Sequence, residues 1–152
     1  MNPDVSPLVI PGWRQVADGV YSAGQPEPQH WSALGEAGLR SVLNLRPAAE
    51  LPARNESHEV AAAGLIYAAV PIADASALGR KSAAALDRAL RELPAPLLVH
   101  CASGNRVGAL VALREAWFNG ADARTALSRG RSAGLNSLEP QVRRLLGLPE
   151  AD

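Results

Sequence analysis

Residues 97–118 constrain the fold of this chain more tightly than any other stretch. Leu97-Leu98-Val99 has the length and composition of a buried strand, and Val107 to Phe118 is apolar enough to form the helix that follows. The short loop between them, His100-Cys101-Ala102-Ser103-Gly104-Asn105-Arg106, must therefore feed its backbone N–H groups into a helix N-terminus, where unpaired donors and partial positive charge favour an anion. The chain's single cysteine sits in that loop. A thiol at a helix N-terminus and near an arginine is biased toward the nucleophilic thiolate. Arg106 adds a planar five-donor fork suited to a tetrahedral oxyanion, and Gly104 lets the backbone curl closely round a ligand. Taken alone, a lone cysteine is more often a small buried hydrophobe, and His100 a satisfied core histidine. The combination of strand, His-Cys, glycine, arginine and helix is what points to a thiolate anion site.

The rest of the chain repeats the strand-helix alternation. Trp13 to Tyr21 reads as an entering hairpin with Asp18-Gly19 as its turn, Pro26 to Leu39 as a helix stopped by Gly38, and Ser41 to Leu45 as a strand. A helix over Glu50 to Ala63, a strand over Leu65 to Ile72 and a helix over Lys81 to Leu93 follow, with Pro71 ending the strand and Pro94 and Pro96 closing the last helix. After the helix that ends at Phe118, Asp122 is placed to cap a helix reaching Arg129, and Ser137 to cap a last helix ending near Gly147. This order predicts an α/β three-layer sandwich with a largely parallel central sheet, in one domain over residues 13–148 behind a flexible N-terminal segment, residues 1–12. In such a sheet the ligand crevice lies at the carboxyl ends of the strands, where Cys101 sits.

Composition narrows the function. Fifteen basic residues balance fifteen acidic ones, and six aromatics are not interleaved with basic residues, so nothing points to nucleic acid or an anionic membrane surface. The expected partner is a small anionic or phosphorylated substrate; no protein partner is indicated. One cysteine excludes an internal disulfide or a CxxC pair, and no metal-ligand spacing occurs, so metal-independent, cofactor-free chemistry is expected. The N-terminal residues lack a basic, then apolar, secretory pattern, and no apolar run approaches the ~18 residues that would span a bilayer. With an unpaired thiol, the expectation is the cytoplasm.

His100-Cys101-x-x-Gly104-x-Arg106 resembles the signature loop of the cysteine-dependent phosphatase superfamily. The chain is similar to that superfamily's bacterial branch, the beta-lactamase-hydrolase-like phosphatase-like family, also through Val20-Tyr21-Ser22-Ala23-Gly24-Gln25-Pro26 and Ser41-Val42-Leu43-Asn44-Leu45-Arg46-Pro47. The resemblance implies a cysteine-phosphatase-like fold and a thiolate-dependent hydrolase of phosphate monoesters, either protein phosphotyrosine and phosphoserine or small phosphoesters, working through a phospho-cysteine. Two departures stand out. Only Ala102, Ser103, Gly104 and Asn105 separate Cys101 from Arg106, where the usual phosphatase loop has one residue more; this is the length of rhodanese-type sulfurtransferases. Val107 stands where phosphatases usually carry Ser or Thr, and it cannot donate a hydrogen bond. A persulfide-carrying sulfurtransferase is thus the alternative, and a non-catalytic anion-binding or redox-sensing module a second one.

In the phosphatase reading Cys101 attacks phosphorus while Arg106 and the N–H groups of Ala102, Ser103, Gly104 and Asn105 hold the oxygens. Asp74, 27 residues before Cys101 in a loop after a strand, is the candidate general acid that the resemblance calls for; otherwise it caps a turn. Arg46 either adds positive potential to the pocket or pairs with Glu50. On the resemblance, His100 orients the loop and helps favour the thiolate, and Gln25 lies beside the pocket unless it only turns the chain into a helix. His30 and His58 read as solvated, the tryptophans as core or hairpin anchors, and Arg124, Arg129 and Arg131 as a solvated face, with substrate contact by Arg131 and Asn136 as the lesser option.

Overall fold

The computed structural model describes residues 9–151. Five strands, β1 (Arg14–Ala17), β2 (Val20–Ala23), β3 (Ser41–Asn44), β4 (Ile66–Ala69) and β5 (Leu97–His100), form one sheet in the order β1-β2-β5-β3-β4. The β1–β2 hairpin, turning at Asp18-Gly19, is antiparallel; every other pairing is parallel. Six helices connect and cover the strands: α1 (His30–Glu36), α2 (Glu56–Ala62), α3 (Arg80–Glu92), α4 (Asn105–Phe118), α5 (Ala123–Ser132) and α6 (Glu139–Leu145).

Strand alternation sorts the core into two layers. Leu43, Leu97 and Val99 point to one face, where they join Leu86 of α3, Leu110 and Leu113 of α4, Leu127 of α5 and Val142 of α6. Tyr21, Val42 and Leu98 point to the other, against Trp31 and Leu34 of α1 and Val60 of α2. The central strands β3 and β5 are buried at every position, as a parallel sheet covered on both faces requires. The fold is the expected three-layer α/β sandwich. Helix α4 packs against both α3 and α5, and residues 107–113 are all buried, in keeping with a stretch that carries no polar side chain.

Some boundaries differ from the sequence reading, for identifiable reasons. The first helix begins at His30, not Pro26, because the chain is extended at Pro26 and turns at Pro28, where the His30 N–H donates to Glu27 O at 3.0 Å. The helix expected from Glu50 splits into a 3-10 turn at Ala48–Glu50 and α2, with Pro52 between them and Asn55 capping α2 through the His58 N–H at 3.2 Å. Ser137 does not cap α6; its hydroxyl accepts from Asn105 Nδ2 at 2.8 Å, and Leu138 holds the cap position. Of the segment expected to be flexible, residues 1–8 lie outside the described residues, while Ile10 is buried against the Tyr21–Trp31 cluster and the Pro11 carbonyl accepts from Gly24 N–H at 2.7 Å.

One ion-pair group tests how α5 and α6 are held. Glu139 accepts from Arg131 Nε at 2.7 Å and Nη2 at 2.6 Å, and from Arg143 Nε at 2.9 Å. The Arg131 contact, ahead of Arg143, lowers the Glu139 pKa from 4.5 to about 2. A carboxylate with a depressed folded-state pKa adds stability above its unfolded pKa and loses it as pH falls through the folded one. Between pH 4.5 and 2, therefore, the wild type should lose more melting temperature than Glu139→Gln, which has no such charge to neutralise. Paired thermal melts across that window check this.

Candidate active site

Register places three loop starts side by side. Ala23 of β2 and Asn44 of β3 both lie opposite His100 of β5, so Gly24-Gln25, Leu45-Arg46 and Cys101 leave the sheet at one level. Backbone bonds tie these exits together: Cys101 N–H to Ala23 O at 3.3 Å, Gln25 N–H to Ala102 O at 3.2 Å and Leu45 N–H to His100 O at 2.9 Å. A Cβ on Gly24 would lie 2.6 Å from the Ala102 carbonyl, so the Ala23-Gly24-Gln25 motif can run beside the thiol loop only with glycine there.

Cys101 is fully buried, and its Sγ accepts the Gly104 N–H at 3.0 Å. Gly104 is the cap of α4 with φ +97°, a left-handed conformation that turns the N–H inward and that a side chain would strain. The sulfur thus lies at the N-terminus of a 14-residue helix, as expected. Asn105, expected at the substrate, spends its side chain elsewhere: Oδ1 accepts from Asn136 N–H at 2.8 Å and Leu138 N–H at 3.3 Å, and Nδ2 bonds Ser137. Its amide fixes the loop that follows α5 over the first turn of α4. Ala102 and Ser103 are exposed on the rim.

Arg106 is clamped. Its Nη1 and Nη2 donate to the two oxygens of Glu50 at 2.8 and 2.9 Å, and Nη1 donates also to Ile72 O at 2.9 Å. Glu50 raises the Arg106 pKa first, and the nearby Cys101 sulfur adds to the rise. Reciprocally, Arg106 holds the Glu50 carboxyl below its usual range, with Arg46 contributing less. One edge of the guanidinium fork is therefore anchored, which leaves the edge carrying Nε for Cys101 and its ligand. Arg46 pairs with Glu50, as one of the two sequence options had it: it donates from Nε to Glu50 at 2.9 Å, and from Nη1 to Gln25 Oε1 at 3.1 Å.

Two acids, the half-buried Glu50 and the buried Glu56, were missed by the sequence reading as site members. Glu56 accepts from Gln25 Nε2 at 2.8 Å and faces His100 Nε2 at 2.6 Å, while His100 Nδ1 lies 3.2 Å from the Cys101 carbonyl. Glu50 carried a weak signal, four residues after Arg46; Glu56 carried none, since an acid near the start of a short helix reads as solvated. Asp74 is exposed at the head of a 3-10 turn, Ala75–Ala77, where it accepts from Ser76 N–H at 2.8 Å and Ser76 Oγ at 2.5 Å. Those two bonds lower its pKa. It lies two residues beyond Ile72, whose carbonyl holds Arg106.

The remaining candidates lie outside this cluster. His30 is buried rather than solvated: the first helix packs it inward, and its Nδ1 accepts from Glu27 N–H at 3.0 Å. His58 is exposed. Arg129 pairs with Glu115 at 2.7 Å and Arg131 with Glu139 at 2.6 Å, so both bind the helix layer together. Among the described residues, no group of three or more His, Cys, Asp or Glu side chains is placed to hold a metal, and no helix is long and apolar enough to cross a membrane.

A thiol under a glycine-capped helix N-terminus, with an arginine of that helix anchored beside it on a three-layer sheet, defines a cysteine-dependent phosphatase domain. A family described as Tc-R-P, "Polymorphic toxin system, DSP-PTPase phosphatase", matches residues 16–119, and the chain belongs to it. Relatives include the beta-lactamase hydrolase-like proteins of Xylella fastidiosa, 37% identical over 97 residues, and of Agrobacterium fabrum, 30% identical over 98. The Xylella match covers 61% of this chain and 22% of the relative, and the Agrobacterium match 62% and 22%, so the chain spans about a fifth of these proteins. Among solved structures, a DUF442 protein of Shewanella putrefaciens superposes with a TM-score of 0.73 at 24% identity, covering 95% of each chain. TpbA of P. aeruginosa, solved in complex with phosphotyrosine, superposes at 0.68 with 17% identity over 91% of this chain and 85% of that one.

Proposed function

We propose that this chain hydrolyses phosphate monoesters through a phospho-cysteine on Cys101. The observation that carries the reading is the Gly104 N–H on Cys101 Sγ at 3.0 Å, beside an Arg106 whose outer edge is fixed by Glu50. The thiolate attacks phosphorus and the S–P bond forms as the P–O bond to the leaving group breaks. Arg106 and the loop N–H groups of Ala102, Ser103, Gly104 and Asn105 hold the non-bridging oxygens, where charge gathers. Asp74 protonates the departing oxygen, for which its carboxyl must first let go of Ser76 and take up a proton. Water then cleaves the S–P bond and releases inorganic phosphate. The phosphotyrosine complex of TpbA supports an aryl phosphate as substrate class. A reducing compartment such as the cytoplasm keeps such a thiol reduced.

The test compares wild type, Cys101→Ser and Asp74→Asn for phosphate release from p-nitrophenyl and alkyl phosphates, and for thiocyanate formation from thiosulfate and cyanide. Phosphate release should fall at least ~10³-fold in Cys101→Ser, while the fold is kept. Asp74→Asn should slow the alkyl ester, with its poor leaving group, by about 10²-fold and p-nitrophenyl phosphate less. Cys101-dependent thiocyanate without phosphate release would replace the reading with sulfur transfer. Silence in both assays would leave an anion-binding or redox-sensing module.

A further inference from the structure

The two edges of the sheet are finished differently. The β1 edge carries Arg14, and its register shifts between Gln15 and Ala17; a charge and an irregular register both discourage further pairing. The β4 edge has neither. Its sequence, Ile66-Tyr67-Ala68-Ala69, holds no charge and no proline, and it runs in regular register with β3. Ile66 N–H donates to Arg40 O and Val70 N–H to Asn44 O, each at 3.0 Å, so residues 66, 68 and 70 direct their backbone groups to β3. Alternation turns the N–H and C=O of Tyr67 and Ala69 outward, where none of the described residues bonds them. Ile66 is 47% exposed. Beside the strand a groove runs between Ala68 and Val70 and the outer side of α3, where Lys81, Ala85, Arg88 and Glu92 follow at helical spacing.

We propose that this edge is the interface of a two-fold dimer, in which β4 pairs antiparallel with β4 of a second copy of the chain and α3 lies along its counterpart. A two-fold contact must be self-complementary, and both layers are. With the axis at Ala68, Tyr67 stands opposite Ala69 of the second copy, and the outward N–H and C=O groups of the two strands satisfy one another. The same register sets the exposed Ile66 against Val70 of the second copy, a pair of β-branched side chains on one face. In the helix layer, an antiparallel pair centred between Leu86 and Asp87 brings Lys81 to Glu92 and Ala85 to Arg88. Glu92 already pairs with Arg88 of its own helix at 3.2 Å, and Lys81 of the second copy adds the third charge. Charge placement in α3 suits such a neighbour better than it suits a helix alone. Arg80 and Lys81 stand in its first turn, which holds no acid, and Glu92 in its last; these oppose the helix dipole, and only Arg91 favours it. An antiparallel α3 supplies the opposite pole at each end. Because Cys101 lies at the carboxyl end of β5, the two active sites open at opposite ends of the joined sheet, clear of the contact.

Sedimentation equilibrium of the full chain, from micromolar to millimolar concentration, should show the mass rising to twice that of one chain; a single-chain mass throughout would overturn the proposal. Glu92→Lys sets like charges at both Lys81 contacts and should weaken association about tenfold, as should Lys81→Glu, whereas the double variant Lys81→Glu/Glu92→Lys should recover the wild-type value. Both residues are exposed, so the fold does not depend on them. A dimer indifferent to these reversals and to Ile66→Lys would place the contact elsewhere and sink the idea. Amide hydrogen exchange reads the strand layer separately: Tyr67 and Ala69 N–H should gain protection as the dimer forms, and exchange there that stays fast in a dimeric sample would rule out β4 pairing. None of these readouts involves Cys101, so they stand whichever chemistry the assays above reveal.

Discussion

Arg106→Lys should lower kcat/KM for p-nitrophenyl phosphate by about 10²–10³-fold, while Cys101 alkylation at pH 7 stays within a few-fold of wild type. Lysine keeps the positive charge near the sulfur but loses the fork. In the native site Nη1 and Nη2 anchor on Glu50 and on the Ile72 carbonyl, which takes three of the five N–H donors and leaves two, on Nε and Nη2, for a ligand. An ammonium is a point charge that can do one or the other. Lysine should therefore bind the Glu50 carboxylate in the resting site and give little to the transferring phosphoryl group, where planar, paired donors count most. A loss in kcat much larger than any rise in KM would place the arginine's effect in the transition state. Equal activity of Arg106→Lys and wild type would show that charge alone suffices and that the Glu50 clamp has no catalytic consequence.

Gly108→Ala should destabilise the protein by ~3 kcal/mol or more, lowering the melting temperature by about 6–12 °C, or prevent folding. A Cβ at Gly108 would lie 2.0 Å from Leu135 N, 2.5 Å from Leu135 Cα and 2.6 Å from the Gly130 carbonyl. All three are backbone atoms, so no rotamer change relieves the clash; α5 and the residues after it must move away from α4. The contact is reciprocal, since a Cβ at Gly130 would sit 2.7 Å from the Gly108 carbonyl. The displaced segment, 133–138, carries the groups that meet Asn105 at the start of α4. A folded remnant of Gly108→Ala should accordingly lose activity beyond its unfolded fraction. Differential scanning fluorimetry beside activity per folded molecule separates the two effects; an unchanged melting temperature would mean that the α4–α5 crossing has slack the close approach does not suggest.

How far the sequence revealed this site depends on the distance over which each contact acts. Cys101, Gly104 and Arg106 lie within six residues, so strand pattern, loop and helix identified them together with the sheet edge they occupy. Gly24 and Gln25 were recognisable only as a motif, because the reason for glycine, the Ala102 carbonyl beside it, comes from the neighbouring parallel strand. Glu50 and Glu56 lie 56 residues from Arg106 and 44 from His100, and no periodicity marks an acid that turns inward to meet a buried base. Local chemistry misled in the same way at His30, which the first helix buries, and at Ser137, whose hydroxyl serves Asn105 instead of a helix end. The layered architecture was easier to read, because apolar strands and helices record their own burial along the chain.

The bonds around Cys101 draw on residues 25, 46, 50, 56, 100 and 106, spread across the carboxyl ends of three of the five strands, a 3-10 turn and the first turns of two helices. No fragment lacking any of these segments can complete them. The lone thiol is therefore a built-in gauge of the whole assembled chain: its rate of alkylation should change on heating in step with the global melt, so a reagent that touches one atom reports the folding of all the rest.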